Sequence, residues 1–168
     1  MTISEPASGA DLRALLLDYL DYYRSVVVAK LDGLPASSLR QSRVPSGWTP
    51  SGLVTHLAHM ERRWLVWGFL AEPVPDPWGD SAGHGWRSPA MSVEDARALL
   101  EDAGRRTREI VEAHDLADVA AVGGRFRTPA EAPRLQWILL HVLQEFARHT
   151  GHLDIARELV DGRTGETR

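Results

Sequence analysis

The 168 residues are one domain's worth of chain, and 43% hydrophobic with 25% charged side chains excludes a disordered or fibrous protein. A net charge of −4 leaves no cationic excess for a phosphate backbone, so nucleic acid is not expected as a partner. With no cysteine there can be no disulfide, no thiolate zinc site and no thiol nucleophile of the protein's own, and no stretch reaches the ~18 apolar residues of a membrane span.

The first residues, MTISEPASGADLR, lack the basic and then apolar order of a secretory signal, and a bacterial cytoplasm is the expected location. Leu12, Leu15, Leu16, Tyr19, Leu20, Tyr23, Val26 and Val27 then recur at three-and-four spacing, with Ser8 and Asp11 placed as a capping box and Gly33 as the stop. Thr49-Pro50 reads as an N-cap and first helical proline, opening a second helix through Leu53, Leu57, Met60, Trp64 and Trp67 that ends near Leu70. From Ala71 to Met91, four prolines and three glycines exclude a regular helix or a central strand, while Trp78 and Trp86 suggest that this long loop packs down.

Ser92 and Asp95 form another capping box, starting a helix through Ala96, Leu99, Leu100, Ala103, Ile110 and Val111. A linker from Asp115 to Ala132 holds Gly123-Gly124 and Pro129. Pro133 stands at the front of a last helix running to Val160, before Gly162. The expectation is an all-α protein: a four-helix bundle with a long crossover loop between helices 2 and 3, one domain over 1–162, and a flexible tail over 163–168.

The last helix carries His141, Glu145, His149 and His152 at spacings of four, four and three, a stripe about 80° wide beside Ile138, Val142 and Ala156. Its wet face is expected from Gln136, Gln144, Arg148, Arg157 and Glu158. Burying a carboxylate and three imidazoles is costly unless they are paired or bound. On helix 2, His56 shares the inward stripe and His59 is rotated by about 60° toward the polar side. The candidate metal set is therefore His56, Glu145 and His149, with His152 either a fourth ligand or an orienting partner behind the ligands. His141 is as well explained as a core histidine. His84 and His114 stand apart and read as structural, as do the tryptophans and Arg63, Arg148, Arg125 and Arg127, although Trp64, Trp67, Trp78 and Trp86 could wall a pocket and Arg63 or Arg148 could meet an anion.

GLVTHLAHMERRW in helix 2 and QEFARHTGHLDIARELVDG at the end resemble the DinB-like metalloprotein superfamily, in particular its actinobacterial branch related to mycothiol-dependent enzymes. The resemblance spans Thr49 to Gly162. It implies a down-up-up-down bundle, often a homodimer, that binds a divalent cation, most often zinc, with nickel or iron as alternatives. The superfamily's first histidine falls on His56 and its final pair on positions 145 and 149. Glu145 replaces the first histidine of that pair, as in the mycothiol-dependent maleylpyruvate isomerase type, and His152 stands where many members carry Gln.

The activity implied is a metal-dependent transfer of a low-molecular-weight thiol, mycothiol or a similar one, to a small electrophile. A hydrolase or isomerase on the same scaffold, or a non-catalytic metal-binding dimer, are the alternatives. Turnover without added thiol would mark the hydrolase, and a closed four-ligand site including His152 would mark the structural role.

Overall fold

The computed structural model describes residues 3–164 except 8 and 10. Four long helices carry it: α1 (Leu12–Leu31), α3 (Pro50–Trp64), α4 (Val93–Ala113) and α5 (Leu135–Asp161), with a one-turn helix α2 (Ala36–Leu39) in the first connection. α1 and α3 each pack against both α4 and α5, so the two stand at opposite corners of an all-α four-helix bundle.

The helix starts follow the capping chemistry. Asp11 caps α1 by accepting from the amides of Arg13 and Ala14; Ser8, expected in a capping box, lies outside the described residues. Thr49 caps α3 with Pro50 behind it, and Ser92 and Asp95 form a reciprocal box at α4. Gly162 ends α5 in the left-handed conformation.

The buried stripe of α1 is Leu17, Leu20, Arg24, Val27 and Leu31, at alternating three and four. Leu12, expected on that stripe, is instead 53% exposed at the first turn. Arg24 occupies a core position because it meets Glu61 of α3, itself 1% exposed, and the same carboxylate accepts from Thr107 of α4. This buried pair ties three helices together, and Gly104 makes room for it: a Cβ there would lie 3.0 Å from the Arg24 guanidinium.

Arg157, expected on the wet face of α5, is buried. Its Nη1 donates to the carbonyls of Lys30 and Asp32, and its Nε to Asp161, so it satisfies the orphan acceptors at the end of α1. Gln136, Gln144, Arg148 and Glu158 are exposed as expected.

α3 does not stop cleanly at Trp64. It continues as a π-helical turn, Leu65–Phe69, closed by the Leu70 amide on the Leu65 carbonyl at 3.1 Å. The wider turn leaves carbonyls for the later linker: Ala121 donates to Phe69 at 2.8 Å and Arg125 to Trp67 at 3.1 Å. Gly124 is required there, since a Cβ would sit 2.1 Å from the Trp67 carbonyl oxygen.

The segment after Ala71 crosses over the start of α3 and contains a two-residue antiparallel hairpin, β1 (Ser81–Ala82) and β2 (Gly85–Trp86), turning at Gly83 with φ +59°. Ser88 anchors it to Thr49 at 2.6 Å and Ser51 at 2.9 Å. Gly52 lets it come close, because a Cβ would meet the Arg87 carbonyl oxygen at 3.1 Å. No described helix is long and apolar enough to cross a membrane.

Candidate metal centre

α3 and α5 pack side by side, and their inward stripes bring His56, Glu145 and His149 together with one donor atom from each within 4.8 Å of the others. His149 Nε2 lies 3.1 Å and His56 Nε2 3.8 Å from the same Glu145 oxygen, Oε2. The two imidazoles meet edge to face at 5.0 Å. His149 is buried, and His56 and Glu145 keep a narrow edge open to solvent.

Each imidazole is held from behind. Asp80 Oδ2 lies 2.9 Å from His56 Nδ1, and the other Asp80 oxygen accepts from Arg63 at 2.5 Å. Burial opposes ionisation of Asp80, yet the hydrogen bonds from His56 and Arg63 outweigh it and hold the carboxyl at about 2. An ionised carboxylate only accepts, so His56 carries its proton on Nδ1 and, when neutral, presents the Nε2 lone pair to the cluster. His152 Nδ1 stands 3.1 Å from His149 Nδ1, on the ring nitrogen that faces away from Glu145, and its ring leans on Trp48 at 5.6 Å. The structure thus brings three of the four residues together and puts His152 behind His149.

Asp80 carries no sequence signal of its own. It sits in a segment without periodicity, and only the hairpin brings it under α3; the sole hint was that this loop packs down. The same hairpin lays Trp86 on the His56 ring, with centroids 4.1 Å apart and planes at 13°, and edge-on to His149 at 5.0 Å. On the opposite flank His141 comes within 4.0 Å of Glu145 and packs between Trp64, 4.3 Å away, and Trp137, stacked at 5.5 Å. Burial lowers the pKa of His141, Glu145 opposes that, and the Arg125 charge adds to the lowering.

Arg63 is structural, as expected, and so is not available to an outside anion: it is buried, donates to Asp80 and to the Pro77 carbonyl, and covers Trp78 at 4.5 Å. His59 lies outside the cluster and is only partly exposed, because the crossing segment folds against it; a Cβ on Gly79 would be 2.9 Å from its ring. Burial, reinforced by Arg62, lowers its pKa.

His149 has its pKa pushed down to about 4, chiefly by burial and then by the His56 charge, against the pull of Glu145. The folded state therefore refuses a proton that the unfolded chain accepts. The stability this contributes is full above about pH 6.5 and is lost as pH falls toward about 4. For chelator-treated protein, urea midpoints across that window should fall by an amount equivalent to roughly 2–4 kcal/mol. His149→Gln should flatten the slope, and an equal slope in both proteins would contradict a buried neutral imidazole.

A family model described as mycothiol S-transferase matches residues 15–162. Among solved structures, a conserved protein from Enterococcus faecalis superposes with a TM-score of 0.68 at 16% identity, covering 92% of this chain and 100% of its own, a likeness of fold alone. None of the curated proteins compared matches the sequence. A helical bundle bearing this cluster, matched by that model over nearly its whole length, belongs to the mycothiol S-transferase family.

Proposed function

We propose that the protein is a divalent-metal-dependent transferase that joins a mycothiol-like low-molecular-weight thiol to a small electrophile, with His56, Glu145 and His149 as the metal ligands and zinc as the preferred ion. The observation that carries this reading is the donor geometry. Ligands about 2.1 Å from a tetrahedral ion stand about 3.4 Å apart, and separations of 3.8 Å and 3.1 Å to Glu145 Oε2 bracket that value. Two imidazoles and one carboxylate also suit the ion's preferences and leave a position for an incoming group.

A bound divalent cation supplies Lewis acidity that favours the anion of a thiol over the thiol itself. The chain's own groups do the rest. Asp80 fixes the His56 tautomer so that Nε2 faces inward. For His149 to offer Nε2, its proton must reside on Nδ1, and His152 Nδ1 is positioned to accept a hydrogen bond from there. Glu145 contributes the charge that two neutral imidazoles lack. Trp86 closes one side against water, and having no protein thiol, the chain leaves the nucleophile to the co-substrate. The place of His152 behind His149 supports an open, catalytic site over a closed structural one.

The test is thiol consumption with mycothiol and a panel of small electrophiles, with and without chelator. The reading expects metal-dependent loss of thiol. Turnover that needs no thiol would replace it with the hydrolase, and purified protein that takes up no zinc would overturn it.

A further inference from the structure

Arg125 has no role in the proposed metal centre. It follows the Gly123-Gly124 pair, and the linker is hooked to the π-helical turn on both sides of that pair, so its backbone is fixed against Trp67. Its guanidinium lies 4.1 Å above Trp64 and 5.6 Å from Trp78. Among the described residues no carboxylate or carbonyl accepts from that guanidinium, although Arg24, Arg63 and Arg157 are each met by acidic or carbonyl oxygens. Burial and the nearby Arg63 charge both work against its ionisation, so the fold holds a partly desolvated cation with no counter-charge.

Its position joins it to the metal centre. Trp64 touches both Arg125 and His141, and His141 reaches Glu145. Trp78 links Arg125 to Arg63, which leads through Asp80 to His56. Both routes end at the proposed ligands, and both pass along aromatic walls.

We infer that Arg125 binds a carboxylate on the electrophilic substrate, selecting small acids with a flat apolar body over their neutral analogues. A planar fork of N–H donors matches a carboxylate in two parallel hydrogen bonds. One uncompensated cation fits one negative charge; a phosphate dianion would call for a second, and the charge of neighbouring Arg63 is already matched by Asp80. This specificity rests on the transferase reading, but the subsite's existence can be tested apart from the metal.

The experiment titrates the full-length protein with benzoate and with benzamide, as purified and again after chelation, following the indole N–H signals of Trp64 and Trp78 by NMR. Benzoate should bind about tenfold more tightly than benzamide in both states, as expected for a half-exposed charge-assisted pair. Arg125→Gln should erase the difference and Arg125→Lys should retain part of it, with dispersed spectra and zinc uptake unchanged in both variants. Equal binding of the two probes, no response of either indole, or a preference that survives Arg125→Gln would overturn the inference. So would a preference that disappears on chelation, because the carboxylate would then be bound by a cation at the histidine cluster. Failure of zinc uptake with an intact benzoate preference would instead overturn the transferase reading alone.

Discussion

Replacing His149 by Ala should abolish turnover and lower zinc affinity roughly 10²–10³-fold while the protein stays folded. Apparent binding free energies of roughly 10–16 kcal/mol for four-ligand zinc sites amount to about 2.5–4 kcal/mol per ligand, which is close to that factor in affinity. The fold should survive because the bundle's core is contributed by all four long helices and the deleted ring belongs to a polar cluster at its margin. Competition with a chromophoric chelator gives the affinity, and circular dichroism checks the fold. Affinity within threefold or so of the parent would place the ion elsewhere. His152→Ala provides the contrast: as a group behind a ligand it should cost only about 10–100-fold.

Removing Asp80 should have a double effect. Asp80→Ala leaves Arg63, only 4% exposed, without its carboxylate, and a buried charge deprived of its partner costs about 3–5 kcal/mol. The same change frees the His56 ring, so zinc affinity should fall about 10–100-fold as well. Urea unfolding after chelation reads the first effect and zinc competition the second. Asp80→Asn, which keeps a hydrogen-bonding oxygen, should recover part of the stability and less of the affinity. Unchanged zinc affinity in Asp80→Ala would mean that the His56 tautomer is set by something other than this carboxylate.

Periodicity and caps carried the helices because both are local. Thr49-Pro50 and Ser92 with Asp95 act within one turn, and the sequence shows them directly. The candidate cluster is legible for the same reason: Glu145 and His149 are four apart on one helix, and His56 lies on a stripe whose inward face is read from its apolar neighbours. What escaped depends on contacts between segments far apart in the chain. Asp80 becomes a partner of His56 only through a hairpin of two-residue strands, too short to give an alternating pattern. Arg157 looks like a surface cation until the carbonyls at the end of α1 are placed against it, and nothing local marks Arg24 as the partner of the Glu61 carboxylate. The π-helical turn at Leu65–Phe69 has no marker in an apolar run that also fits an α-helix.

That wider turn limits which lengths of chain the protein can tolerate. Two amides, at 121 and 125, are fastened to carbonyls at 69 and 67, with three residues between them. Inserting or deleting a single residue inside that span would unhook one fastening or the other, whereas the exposed stretch at 127–131 could change length without disturbing either. Natural and engineered variants of this protein should therefore keep a fixed count around the glycine pair and vary beyond it.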